Sequence, residues 1–165
     1  MSGSGAPGIQ IDAEGRRVAI LASSWHDTVM DGLIEGATST CTRSGAVSVL
    51  YRVPGSFELP LAAQVAAQAG FDAVIALGVI IRGGTPHFEY VCDAATSGLS
   101  RVALDTGVPV GFGLLTCDDE AQALDRAGLP GSHEDKGREA AEAALSLALT
   151  LPTIRRPGSG VTTGF

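Results

Sequence analysis

Four apolar, largely β-branched runs mark the chain: RVAILAS at 17–23, VSVLYRV at 47–53, DAVIALGVII at 72–81 and PVGFGLLT at 109–116. Each is followed by a segment with helical spacing or many helix formers, at roughly 27–43, 57–69, 89–105 and 118–127. An Ala-rich helix is expected at 134–151. Strands that read as continuous apolar runs and alternate with helices predict a parallel sheet covered on both faces. Gly45, Gly70, Gly107 and Gly128 stand where those helices should stop. No internal repeat is evident. The expectation is one α/β domain over 16–151. A Gly/Ser-rich N-terminal arm at 1–15 and a Pro/Gly/Thr-rich tail at 152–165 are expected to be flexible or to serve as interface arms, with no chemistry in either.

Composition adjusts this picture in three ways. First, apolar residues are 45% of the 165 and charged residues 18%, with a mean hydropathy of +0.25. That is more apolar surface than a monomer needs, which points to subunit contacts. Second, net charge is −7 and basic residues pair only at Arg16-Arg17 and Arg155-Arg156, so no nucleic-acid partner is expected. Third, Cys41, Cys92 and Cys117 are far apart with no zinc-like spacing, and read as reduced, buried thiols of a cytoplasmic protein. The stretch MSGSGAPGIQ has no apolar core of a secretory leader, and no run approaches the ~20 residues of a membrane span.

Ligands of open α/β sheets bind beyond the carboxyl ends of the strands, so the strand-to-helix junctions carry the candidate chemistry. In IRGGTPH (81–87), Gly83 and Gly84 permit backbone conformations closed to other residues. The following helix offers unpaired N–H groups, which together make an anion site. From the pattern alone, a tight turn with a solvent-facing His87 is the plainer reading. In VPGSFELP (53–60), Pro60 is tolerated only in a first turn. That sets Gly55, Ser56, Phe57 and Glu58 at a helix mouth, where Glu58 either complements the helix dipole or helps bind a polyol. In SSWHD (23–27), Trp25 is either core filler or a stacking platform for a planar ligand, and His26 has no obvious partner. Arg126 falls at a helix end, where a cation is favoured, whereas Lys136 falls in a first turn, where it is not. Ser132 is the candidate cap for that last helix. No Walker loop, dinucleotide fingerprint, GxSxG elbow or HExxH motif is present; GFG at 111–113 lacks its third glycine.

Taken together, VPGSFELP, ALGVIIRGGTPHFEYVCDAATSGL, LDRAG and EDKGREAAEAAL resemble the lumazine synthase family from about residue 16 to 151. The resemblance implies a flavodoxin-like three-layer sandwich around four parallel strands, working without metal or cofactor. It also implies that the amine of a ribitylamino-pyrimidinedione condenses with the ketone of dihydroxybutanone phosphate. Phosphate is then eliminated, and ring closure with loss of water gives dimethyl-ribityllumazine. On the same ground, Gly83, Gly84, Thr85 and Arg126 are expected to hold the phosphate and His87 to shuttle protons. Trp25 is expected to stack on the pyrimidine, Ser56, Phe57 and Glu58 to bind the ribityl chain, Ile80 and Ile81 to line the pocket, and Lys136 to reach the ligands. Phe112, Arg126 and Lys136 would come from a neighbouring subunit.

Departures from the family pattern are local. Gly84 stands where members often have a larger residue, and Phe112 where some have Asn. The longer segment LPGSHEDKG (129–137) resembles that of pentameric members, so a homopentamer with sites at subunit interfaces is expected. The rival readings are riboflavin synthase of the same fold, a non-catalytic flavin-binding or scaffold paralogue, and an FMN carrier. The phosphate set argues against the first, and SSWHD is no phosphate loop for the last.

Overall fold

The sheet is built from its middle outward. A computed structural model describes residues 10–156. Its elements are β1 (Arg17–Ser23), α1 (Asp27–Arg43), β2 (Val47–Val53), a 3-10 turn (Ser56–Glu58), α2 (Leu59–Gln68), β3 (Ala73–Ile81), α3 (His87–Thr106), β4 (Val110–Cys117), α4 (Glu120–Leu124) and α5 (Lys136–Arg155). The strands are all parallel in the order β2-β1-β3-β4, which is the expected flavodoxin-like arrangement. Alternation along the central strands feeds two cores. Val18, Ile20 and Ala22 of β1 and Ile75 and Leu77 of β3 pack with Leu33 of α1 and Leu145 of α5. Ala19, Leu21, Val74 and Ala76 face the other way, toward Leu59 of α2 and Leu99 of α3. Each fully buried Leu or Ile contributes roughly 1.5–3 kcal/mol by leaving water.

Strand bounds follow the apolar runs, and the helices depart from them for local reasons. The expected 57–69 helix is split, with a 3-10 turn first and α2 beginning at Leu59 so that Pro60 lies in its first turn. The expected 118–127 helix shrinks to α4, capped by Asp119 accepting from Gln122 N. Beyond it the chain folds back through a bridge between Ala127 and Asp135. Ser132 does not cap α5: its Oγ accepts from Leu129 N and donates to Leu124 O, and Asp135 caps instead by accepting from Arg138 N. Helix α5 runs past 151 to Arg155 with Pro152 inside it, a position at which proline has no N–H to donate to the carbonyl four residues back.

Within 10–15, Ile11 and Ala13 pack on the core while Gln10, Asp12, Glu14 and Gly15 are exposed. Ala13 is buried in the core, its N–H donating to Ser44 O at 2.7 Å. The rest of the two expected arms, 1–9 of 1–15 and 157–165 of 152–165, lies outside the described residues. Cover on both faces holds for β1 and β3 but not for β2, an edge strand whose Val47, Val49, Leu50 and Tyr51 are exposed. Cys41 and Cys117 are buried as expected, whereas Cys92 is only half-buried.

Candidate functional site

Strand lengths create the cleft. β1 pairs with β3 only as far as Ala22 opposite Leu77, while β3 continues to Ile81, paired with Cys117 of β4. The edge of Val79–Ile81 that faces β1 therefore has no strand partner, and its peptide groups need another. Here the strand order also reverses, which is where doubly wound sheets bind ligands. A cleft of about 610 Å³ opens at this point. Its walls come from the β1–α1 junction (Trp25, His26), the 3-10 turn (Gly55, Ser56, Phe57, Glu58), the end of β3 (Val79, Ile80, Ile81) and the start of α3 (His87, Tyr90, Val91).

Each wall is fixed by local contacts. Ser24 Oγ donates to Val53 O at 2.8 Å and ties the β1–α1 junction to the end of β2. Trp25, 67% exposed, is not core filler; it stands over the cleft. A Cβ on Gly55 would lie 3.2 Å from Glu58 Oε2 and 3.7 Å from Trp25 Nε1, so carboxylate and indole edge converge on one spot. Glu58 sits at the cap position of α2 but makes no capping hydrogen bond, which leaves its exposed carboxylate for other work. Ser56 is buried, and its Oγ has no hydrogen-bond partner. Gly78 allows this packing: a Cβ there would meet Ser56 Oγ at 2.7 Å and Leu114 Cδ1 at 2.8 Å.

The GGTPH loop forms a shallower hollow beside the cleft, lined by Arg82, Gly83, Gly84, Thr85, Pro86 and Glu89. Neither Gly83 nor Gly84 takes a left-handed conformation, so backbone freedom is not why they are glycine. A side chain on either would meet nothing within 4 Å; the pair keeps the loop bare for something to approach. Arg82 clamps the loop's start. Its guanidinium pairs with Glu89, donates to Asp118 Oδ1 at 2.9 Å and lies 4.2 Å over the Phe88 ring. Hydrogen bonds from Arg82 hold both carboxyls below their ordinary range. His87 opens α3 and is exposed.

Phe112, Arg126 and Lys136 lie elsewhere. They line a second cavity of about 630 Å³ on β4 and α5, which shares no lining residue with the cleft. Backbone bonds draw its cations together: Lys136 N donates to Arg126 O, and Glu134 N to Asp125 O, both at 3.0 Å. Arg126 Nη1 donates to Gln122 O at 2.8 Å, the carbonyl end of α4. Lys136 Nζ reaches Glu134 Oε2 at 2.5 Å and Glu139 Oε2 at 2.8 Å. Burial pulls its ammonium down, but these carboxylates more than offset that and leave it above the ordinary lysine value. They also account for a lysine in a first helical turn. Nearby Cys117 is pushed up by burial, and Cys41 likewise to about 11; neither is an activated thiolate.

The family model for 6,7-dimethyl-8-ribityllumazine synthase matches residues 15–151. The chain belongs to this family. It is 64% identical over 157 residues to the 6,7-dimethyl-8-ribityllumazine synthase of Leifsonia xyli, an alignment covering 94% of this chain and 99% of that relative. It is 60% identical over 158 residues to the synthase of Clavibacter michiganensis, with the same coverage. For the synthase of Streptomyces avermitilis the figures are 57% over 159 residues, 95% of this chain and 99% of the relative. The family resemblance did not single out Arg82, Tyr90 or Val91. Only Arg82 carried a signal, as a cation between a strand end and the acidic Glu89. No helix among the described residues is long and apolar enough to cross a membrane.

Proposed function

We propose that this chain makes 6,7-dimethyl-8-ribityllumazine from 5-amino-6-(D-ribitylamino)uracil and 3,4-dihydroxy-2-butanone 4-phosphate, as a cytoplasmic homopentamer needing no cofactor. The observation that carries the reading is the composition of the cleft. A stacking ring, a carboxylate beside an unpartnered buried hydroxyl, an unpaired strand edge and a histidine all face one space sized for a small ligand.

The pyrimidine stacks on Trp25 and meets the open edge at Ile80 and Ile81. Its ribityl hydroxyls bind Ser56, Phe57 and Glu58, the carboxylate accepting from the polyol. The phosphate of the second substrate lies on Gly83, Gly84 and Thr85, at the N-terminal end of α3, where backbone N–H groups favour an anion. Attack of the pyrimidine amine on the ketone gives an imine and water. Loss of phosphate and ring closure with loss of water follow. His87 moves protons among these steps, since histidine changes charge nearest neutrality. Much of the acceleration comes from holding two substrates in contact.

Phe112, Arg126 and Lys136 complete the site from an adjacent subunit. Two features support that arrangement: the separation of the two cavities on one chain, and the bare apolar edge at β2. The test mixes purified protein with both substrates and follows lumazine fluorescence, beside a control given lumazine alone, with mass by light scattering. Product from the pair and a five-chain mass are expected. Riboflavin from lumazine alone marks a riboflavin synthase, and silence in both a binding or scaffold protein.

A further inference from the structure

Among the described residues other than glycine, His26 alone has a left-handed backbone, with φ 61° and ψ 63°. A residue with a Cβ adopts that conformation at a cost, and such outliers gather at ligand sites when the surroundings impose them. The effect on side chains is specific. In extended chain, successive side chains point to opposite sides; here Trp25 and His26 are consecutive and both line the one cleft. Its carbonyl accepts from Met30 N at 2.9 Å, closing the first turn of α1. The imidazole does not cap that helix. It makes no hydrogen bond among the described residues, and neither does it form an ion pair.

Glycine would supply the same backbone without the steric cost. The histidine is therefore explained by its ring rather than by its φ. Of the chain's three histidines, His133 is engaged by Asp125 on the other half of the molecule, which leaves His26 and His87 in the cleft. We propose that the His26 imidazole hydrogen-bonds the polar rim of the planar heterocycle stacked on Trp25, and so sets affinity for the pyrimidine substrate. This rests on the synthase reading above. It assigns to His26 binding of one substrate rather than proton transfer.

The test compares His26→Gly with His26→Ala. Glycine keeps the left-handed turn and removes the ring; alanine removes the ring and also resists the turn. Trp25 is the only tryptophan, so quenching of its emission by 6,7-dimethyl-8-ribityllumazine reports binding without turnover. Loss of one buried hydrogen bond predicts about a tenfold weaker lumazine Kd and a similar rise in KM for the pyrimidine in both variants. KM for dihydroxybutanone phosphate should not move, and kcat should change by less than about twofold. A glycine variant that binds and turns over like the parent, with only alanine impaired, would reduce His26 to a backbone role and overturn the proposal. A selective fall in kcat would overturn it too, in favour of proton transfer. A parent that neither binds nor forms lumazine removes the synthase reading and this inference together; an active parent with an unaltered glycine variant removes this inference alone.

Discussion

The cleft at the β1–β3 junction and the cavity on β4 and α5 are built from opposite materials. The first is aromatic, apolar and hydroxylic, with one carboxylate, and is shaped by backbone: a strand that outruns its neighbour, a 3-10 turn, a left-handed residue. The second presents Arg126 and Lys136, the lysine held by Glu134 and Glu139. A flat polyol-bearing ring suits the first and an anion the second. On one chain they are separate spaces; under the proposal above, a phosphorylated partner for the ring would meet the second cavity of another copy. The largest effect should follow from removing the cation of that second half. Arg126→Ala is expected to lower kcat/KM on the order of 100- to 1000-fold, the usual loss for a charge that meets a developing or transferred anion. The fall should appear with dihydroxybutanone phosphate varied at saturating pyrimidine, while lumazine quenching of Trp25 stays near parental.

The same contrast can be broken in trans. Co-expression of a Trp25→Ala chain with an Arg126→Ala chain should raise activity well above that of either variant alone. In the proposed ring each site would take its cleft from one copy and its cation from the next, so roughly a quarter of random interfaces would receive two intact halves. Mixtures no better than their components would place both halves of a site on one chain. His87→Ala should be milder, about tenfold in kcat, if, as proposed, approximation of the substrates rather than proton transfer carries the rate. A dead His87→Ala beside a normal Arg126→Ala would falsify that ranking.

The two halves also differ in how far the sequence disclosed them. The switch point was legible because it depends on strand order, and strand order follows from alternating apolar runs and helices. Trp25, Ser56, Phe57, Glu58, Ile80, Ile81 and His87 all sit at junctions, and the fold gathers all of them in one cleft. Arg126 and Lys136 looked like opposites in the sequence, one at a favourable helix end and one at an unfavourable start. Nothing in the spacing foretold the backbone bridge that joins them, because bonds between 125–128 and 134–136 depend on a turn with no strong signature. Gly83 and Gly84 were legible as an unusual pair, but for a reason the backbone does not use. Gly78, inside an apolar strand, gave no sign that Ser56 and Leu114 close on it. Gly78→Ala should cost about 1–3 kcal/mol in a denaturation curve, as overpacking does. It should also raise KM for the pyrimidine, since the 3-10 turn must lift.

The smallest effects concern the clamps at the edge of each half, and their pH senses differ. On the cleft side, Glu89 and Asp118 lie below their ordinary values because Arg82 bonds them. A depressed carboxyl contributes stability that is present above its unfolded value, near 4, and is lost as pH falls through the folded value. On the cation side, the bond from Asp125 raises His133. A raised histidine contributes stability that is present below its unfolded value, near 6.5, and is lost as pH rises through the folded value. Asp125 itself is depressed by His133, so that pair also fails in acid. Both clamps are solvent-exposed and screened, and each effect should be slight. Urea midpoints from pH 3 to pH 9 should separate them. Arg82→Gln should differ from the parent at neutral and alkaline pH and converge with it below about pH 4. His133→Gln should differ in a band between the Asp125 and His133 transitions and converge on both sides of it. An Arg82→Gln gap that persists undiminished at pH 3 would mean the clamp acts through its stacking on Phe88 rather than through charge.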